Sequence, residues 1–474
     1  MALKDIETII FVMMENRSFD HMLGYLSLDE TKKKLPVDGL RSDPQWQAAH
    51  ANVANGVAHL PKRLGPLDPV NEDPPHNDET IEIQIETAPA GPGPKRMGGF
   101  AATFAKAHPN ADPRIVMGYY DAATLATYDF FARNFCVCDR WFTPLPLGTQ
   151  ANRLMAMAGE SKIVNNSVPM PNQDIVYDWL NERDIGWRSY TWGGFGPFFF
   201  MMPRWTFPIG SSIATGRGRF RRYGKFREDW ASDDPMPPVI FIEPEYEDAP
   251  GSKPNDDHPP APPSRGQAFL NDIYRTVTGN PDRWAKTLMI VTYDEHGGFF
   301  DHVPPPSIPG KAGGVPFAYT GPRVPAFLIS PFVDPGQVFS ETLDHTAFLT
   351  LLDERFNGAK GYSPAVAERQ GALGRISRAL RAKARTGAAP KLAPPVKLMG
   401  LAGDAPAGPP RAPDTPNAAA MDAMARQLRE EHPEIFEDPA WKEMDRYLDE
   451  NAPPIPKSTG NIPTSDPGAK PPTH

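Results

Sequence analysis

A predominantly parallel β-sheet covered on both faces by helices is the fold class that this sequence predicts, and three observations carry it. Short, almost wholly apolar runs bounded by polar residues recur at Ile9–Met14, Val239–Ile242 and Leu288–Tyr293. Such runs are the mark of strands buried on both faces. Segments with the 3.6-residue apolar spacing of amphipathic helices lie between them. Strands that alternate with helices build βαβ units and hence a parallel sheet.

The composition is that of a globular protein: of 474 residues, 40% are apolar and 23% charged, although 57 are proline. The prolines cluster, which predicts long loops decorating a compact core. Length alone is compatible with two or three domains, or with one large α/β domain carrying insertions. The net charge of −9, without a long basic run, argues against a nucleic-acid partner. No stretch approaches the ~20 apolar residues of a transmembrane helix. The N-terminal residues lack the charged start, apolar segment and cleavage site of a signal peptide, so a cytoplasmic protein is expected. The only cysteines, Cys136 and Cys138, are one residue apart. A disulfide there would be strained, and they read as small core residues.

In chain order, the strand Ile9–Met14 runs into Glu15-Asn16-Arg17-Ser18-Phe19-Asp20-His21. Asp29 to Asn71 is polar and turn-rich, and His76 follows amid the carboxylates Asp73 and Asp78. The alternation I-E-I-Q-I-E from Thr80 to Thr87 predicts a half-buried strand. Arg114 to Phe135 has the spacing of one helix, followed by a strand at Phe135–Cys138. In T-P-L-P-L-G-T-Q-A-N-R, the prolines and Gly148 disfavour helix up to Thr149, whereas Asn152 to Ala158 favours it. Thr149 is therefore expected at a helix N-terminus, where free N–H groups and the dipole favour an anion.

Further along, a helix is expected at Ile175–Arg183, a strand at Gly186–Tyr190 and a helix at Gly266–Val277. Another strand is expected at Val324–Ser330, and a helix from Asp344-His345-Thr346 to Phe356. The loop G-G-F-G-P-F-F-F-M-M (Gly193 to Met202) reads either as core packing or as an apolar wall for a greasy substrate. Beyond Arg385 the composition shifts. Residues 1–385 read as a catalytic domain, and 386–474 as a Pro-rich linker, a helical stretch (Ala420–Asn451) and a disordered tail.

The chemistry lies at two matching strand ends. Glu15-Asn16 and Asp294-Glu295 each follow an apolar strand, and side chains of neighbouring residues converge only where a strand ends. Three carboxylates and an amide make a hard-oxygen set for one divalent cation: Mg²⁺, Ca²⁺ or Mn²⁺, with Zn²⁺ admissible if histidines join. Such an ion would activate the Thr149 hydroxyl as a nucleophile toward a phosphoryl group. His76, His258, His302 and His345 are the loop histidines able to serve the leaving oxygen or the phosphoryl oxygens. His258, preceded by Asp256-Asp257, and His76 are best placed to be oriented by a carboxylate.

The motifs E-N-R-S-F-D-H-M-L-G, G-T-Q-A-N-R, N-D-D-H-P and D-E-H-G-G-F-F-D-H-V-P-P, spread over residues 5–360, resemble a known group. It is the phosphoesterase family of bacterial phospholipases C, bacterial acid phosphatases and plant non-specific phospholipases C, within the alkaline-phosphatase-like superfamily. The resemblance implies a doubly wound, mostly parallel sheet and phosphoester hydrolysis through a phospho-enzyme intermediate. It implies Glu15, Asn16, Asp294 and Glu295 as metal ligands, Thr149 as the nucleophile that also touches the metal, and His76, Asp248 and His258 on the opposite side of the site. Two departures stand out. Ala151 occupies a position where the family commonly has proline, and the export signal of secreted relatives and the C-terminal β-domains of bacterial phospholipases are not present.

The expected activity is therefore metal-dependent cleavage of a phosphodiester, with phospholipid among the candidate substrates, through a phospho-threonine intermediate. Its rivals are a phosphomonoesterase of the acid phosphatase kind and a non-catalytic metal- or phosphate-binding protein.

Overall fold

The computed structural model describes residues 2–28, 34–65, 69–88, 96–249, 253–393 and 415–451. Among these, eight strands form the main sheet: β1 (Thr8–Met14), β2 (Cys136–Cys138), β3 (Trp187–Thr191), β4 (Phe220–Arg222), β5 (Val239–Glu243), β6 (Thr287–Tyr293), β7 (Ala326–Ile329) and β8 (Gln337–Phe339). Their spatial order is β8-β2-β7-β6-β1-β5-β3-β4. Strand β7 runs antiparallel to β6 and β2, and the other pairings are parallel. Every residue of β1 is buried, as its unbroken apolar run requires. Its neighbours β5 and β6 lie on opposite sides, so the crevice beyond the carboxyl end of β1 is where an open α/β sheet binds ligands.

Around the sheet lie α1 (Asp78–Glu86), α2 (Ala126–Asn134), α3 (Thr149–Ala158), α4 (Val176–Asn181), α5 (Pro203–Thr215), α6 (Tyr223–Ala231), α7 (Pro263–Thr278), α8 (Thr346–Phe356), α9 (Pro416–Glu431) and α10 (Lys442–Glu450). Both faces are covered. On one, Phe11 of β1 stacks on Phe348 of α8 at 4.2 Å, and Phe241 of β5 meets Tyr177 of α4 at 5.1 Å between ring centroids. On the other, Tyr190 of β3 packs on Phe226 of α6 at 5.2 Å, and Phe327 of β7 on Tyr128 of α2 at 6.1 Å. The fold is thus the expected α/β sheet with helices on both sides. Cys136 and Cys138 are buried free thiols in β2.

Two expectations fail. The I-E-I-Q-I-E stretch is helix α1, not a strand. Asn77 caps it by accepting from the Thr80 N–H at 3.1 Å, and Asp78 and Glu79 occupy the first turn. Ile81 and Ile85 are four apart, so alternating isoleucines also supply one buried helix stripe, with Gln84 between them and Ile83 left outside. The single helix expected over Arg114–Phe135 is broken into a short 3₁₀ turn (Pro113–Ile115), a two-residue strand (Gly118–Tyr119) and α2. Asp121 causes the break, because its side chain accepts from the N–H groups of Ala123 and Thr124 and so forms a local turn.

The Gly193–Met202 loop is core rather than a substrate wall. Phe195 and Phe198 to Met202 are all buried, and α9 and α10 close over this region, with Trp441 against Phe200 and Tyr447 against Phe195. The Pro-rich stretch 394–414 and the tail 452–474, read from sequence as linker and disordered tail, lie outside the described residues. Among the described residues, no helix is long and apolar enough to cross a membrane.

Candidate active site

Strand register builds the centre of the site. β1 pairs with β6 residue for residue, ending at Met14 opposite Tyr293. The next residues on each strand, Glu15-Asn16 and Asp294-Glu295, therefore meet side by side although they are far apart in sequence. The Asp294 N–H continues the ladder to the Met14 carbonyl at 3.0 Å, and the Asn16 N–H returns to Asp294 Oδ1 at 3.1 Å. Asn16 adopts the left-handed conformation at φ 59°, which asparagine tolerates better than most residues and which turns the chain at the strand end. Gly297, at φ +63°, lets the opposite loop close on this turn. A Cβ there would fall 2.1 Å from the Asn16 carbonyl oxygen.

All four expected ligands are buried. Glu15 Oε2, Asn16 Oδ1, Asp294 Oδ2 and Glu295 Oε1 have no hydrogen bond within the described structure. Burial, with the neighbouring Glu15 charge, pushes the Asp294 carboxyl well above its usual range. Buried oxygens that lack donors and crowd negative charge are an environment that a divalent cation relieves. These orphaned oxygens are chemically the donor set of a hard cation, but among the described residues the ligand atoms that lie within 4.8 Å of one another at this site belong to Glu15, Asp256 and His258 and to Asp73, His76 and His258.

Thr149 is the first residue of α3, as expected, after Gly148 at the N-cap. Asn152 straps the preceding turn: its Oδ1 accepts from the Leu145 N–H (3.1 Å), and its Nδ2 donates to the Leu147 carbonyl (2.6 Å). Arg153, one turn after Thr149 and on the same helix face, donates to Glu15 Oε1 at 2.9 Å and lies 3.7 Å from Asp294 Oδ2. A Cβ on Gly148 would lie 3.4 Å from the His76 carbonyl oxygen, so the helix start also abuts the His76 loop. One refinement concerns anion binding: the Gln150 N–H is already donated to Asn166 Oδ1 at 3.1 Å.

The histidines divide into two groups. His76 and His258 come together, with ring centroids 5.9 Å apart. His76 Nε2 is 3.4 Å from Asn16 Nδ2, and its Nδ1 lies 2.7 Å from the Pro74 carbonyl. His258 lies between Glu15 Oε2 (3.4 Å) and Asp73 Oδ1 (3.3 Å). Burial opposes charge on His258, but Asp73 and Glu15 outweigh it and hold the imidazole well above its ordinary value. Two of the other histidines have structural partners. His302 binds Asp20 at 2.6 Å and approaches Asp38 at 3.3 Å, in a cluster of its own with Arg323. His345 receives the Trp141 indole N–H on Nδ1, which fixes its proton on Nε2, donated to the Asp294 carbonyl at 2.7 Å. His345 is thus a neutral brace, its pKa lowered to about 4 mainly by burial.

Asp248 is buried near this group, but both its oxygens are engaged, by the Thr415 hydroxyl at 2.7 Å and the Asn417 amide at 2.8 Å. Arg17, Ser18 and Asp20 serve the surrounding loops. Arg17 ties the strand end to the His258 loop through the carbonyls of Asp257 (2.8 Å) and Ala261 (3.3 Å).

Residues 6–358 match the model of the Phosphoesterase family. The chain belongs to this family. Among its relatives, non-specific phospholipase C4 of Arabidopsis thaliana is 31% identical over 360 residues, covering 70% of this chain and 63% of that protein. Phospholipase C B of Mycobacterium tuberculosis (strain ATCC 25618 / H37Rv) is 29% identical over 411 residues, covering 75% of this chain and 74% of that protein. The match thus spans less than two thirds of the length of the first plant relative. A solved protein in the alkaline phosphatase superfamily from Vibrio parahaemolyticus overlaps only slightly, with TM-score 0.29 and 13% identity over 49% of this chain and 60% of that chain.

Sequence reasoning on this member of the Phosphoesterase family missed two residues of the site. Asp73, together with Glu15 and rather than Asp256 or Asp257, pairs with the His258 ring. Asp256 instead accepts from the His258 N–H through Oδ1 and from the Glu247 N–H through Oδ2, shaping the loop. Arg153 was visible in G-T-Q-A-N-R, and its place one helical turn after Thr149 was the signal for a role at the same site. Its guanidinium is stacked over Phe198 at 4.4 Å and Tyr246 at 5.0 Å, which fixes the long side chain.

Proposed function

We propose that this chain is a metal-dependent phosphoric ester hydrolase of phospholipase C type, acting on a phosphodiester, with a phospholipid as the physiological class. The observation that supports it most is the in-register meeting of Glu15-Asn16 with Asp294-Glu295, one helical turn from Thr149 through the contacts of Arg153. Glu15, Asn16, Asp294, Glu295 and the Thr149 hydroxyl are the groups assigned to hold one divalent cation. When bound, the cation would neutralise phosphoryl charge and favour the deprotonated hydroxyl.

In this reading the Thr149 oxygen attacks phosphorus, forming one P–O bond as the bond to the leaving alcohol breaks. His258, held between Asp73 and Glu15, gives its proton to the departing oxygen. Water then displaces phosphate ester from Thr149, returning a proton to His258, so Thr149 is regenerated. His76 contacts the phosphoryl oxygens from the side of Asn16. Asp248 acts through His258 and not on the substrate, because both its oxygens are already bound.

The names of the relatives favour a diester, and turnover of p-nitrophenylphosphorylcholine and phosphatidylcholine against p-nitrophenyl phosphate measures the preference. Wild type should hydrolyse the diesters with the higher kcat/KM and lose turnover to a chelator. Thr149→Ala should fall by a factor on the order of a thousand or more. Equal activity in wild type and Thr149→Ala would overturn the reading.

A further inference from the structure

Helix α9 lies past the residues matched by the family model, yet its first turn reaches into the site. Asn417, only 2% exposed, accepts from Gln150 Nε2 at 2.9 Å through its Oδ1 and donates to Asp248 Oδ2 at 2.8 Å through its Nδ2. Thr415, the cap of α9, donates its hydroxyl to Asp248 Oδ1 at 2.7 Å while accepting from the Ala418 N–H at 3.0 Å. Gln150 is the residue after Thr149. Its own side chain is fixed further by the Ser167 backbone, accepting from the N–H at 2.9 Å and donating to the carbonyl at 3.1 Å. One amide therefore bridges the start of the helix that carries Thr149 and the buried Asp248 carboxylate.

The bridge is anchored from behind. Leu428 of α9 packs so closely on α5 that a Cβ at Gly210 would lie 2.7 Å from it. Ala440, before α10, receives a 2.6 Å hydrogen bond from Arg222. A negative carboxylate at a helix N-terminus is also favoured by the dipole of α9. Both oxygens of Asp248 and both polar atoms of the Asn417 amide are used, which leaves the junction one low-energy arrangement.

We infer that the C-terminal segment is a positioning element of the catalytic site, with Asn417 and Thr415 as the positioning residues. They set the placement of Thr149 through Gln150, and they hold the Asp248 carboxylate to which Asn417 is tied. The inference rests on the function proposed above. Loss of this contact should misplace the attacking oxygen without removing a group that touches substrate. The consequence is a loss in kcat with little change in KM.

The test uses the full chain with a chromogenic phosphodiester, in wild type, Asn417→Ala, Gln150→Ala, the double variant, Thr415→Val, Thr415→Ser and Thr149→Ala. Asn417→Ala should lower kcat on the order of tenfold at nearly constant KM. The double variant should lose no more than the worse single, because both changes cut one bridge. Thr415→Ser, which keeps the hydroxyl, should restore what Thr415→Val loses. Full kcat in Asn417→Ala and Thr415→Val, with Thr149→Ala inactive, overturns the positioning role alone. So do additive losses that track a falling Tm, or failure of Thr415→Ser to rescue. Full activity in Thr149→Ala overturns the functional reading instead.

Discussion

At the scale of single residues, Arg153 ties the helix that carries Thr149 to both strand ends. It is the cation that the protein itself supplies to Glu15 and Asp294, and it is almost wholly buried with them. Removing one partner of a buried ion pair is costly because it strands the other charge, by about 3 kcal/mol or more. Arg153→Met should therefore destabilise the protein by roughly that amount in chelator, and an added divalent cation should recover part of the loss by taking over the stranded carboxylates. Denaturant midpoints with and without metal check this. The residue scale is also where sequence reasoning ran out. Glu15, Asn16, Asp294 and Glu295 could be named because each pair ends an apolar strand. Asp73 could not be assigned to His258, because a loop carboxylate acquires its partner only through tertiary folding.

At the scale of elements, the strands of the sheet were legible because full burial writes an apolar run into the sequence, as in β1, β5 and β6. Helix α1 was misread because isoleucines two apart satisfy the period of a strand and, taken as Ile81 and Ile85, that of a helix; the cap at Asn77 decided between them. That helix matters to the site. Its Gln84 accepts from His296 Nε2 at 2.8 Å, and His296 Nδ1 lies 3.1 Å from Glu295. The turn at Gly297 makes a sharp demand, combining a positive φ with close backbone approach. Gly297→Ala must place a Cβ on the Asn16 carbonyl in a left-handed conformation. It should cost ~2 kcal/mol or more and weaken divalent-cation binding, since Asn16 must move. Calorimetric titration of the apo variant with Mg²⁺, Ca²⁺, Mn²⁺ or Zn²⁺ measures the second effect.

On the scale of the whole molecule, charge outside the site also shapes stability. His302 joins the strand-end loop to the segment after β6 through Asp20 and Asp38, with Arg323 and Asp301 completing the cluster. Burial opposes its charge, but Asp20 leads the groups that raise it from 6.5 to about 9. A raised histidine contributes stability that is fully present below its unfolded pKa and is lost as pH rises through the folded one. The stability difference between wild type and His302→Gln should thus be largest below pH 6.5, on the order of 3 kcal/mol, and shrink as pH passes about 9. Urea midpoints across that range test it. The C-terminal helices are the part of the molecule that the sequence described least. Composition marked a break after Arg385, but it carried no sign that Asn417 reaches Gln150 and Asp248, because a hydrogen bond over 267 residues leaves no local pattern.

The central claim is that the register of β1 and β6 assembles a cation site from Glu15, Asn16, Asp294 and Glu295. Elemental analysis of purified wild type, Glu15→Ala and Asp294→Ala, each shown to be folded by circular dichroism, tests it most directly. About one divalent ion per wild-type chain is expected, with a large loss of that ion in both variants. Equal metal content in all three proteins would contradict it.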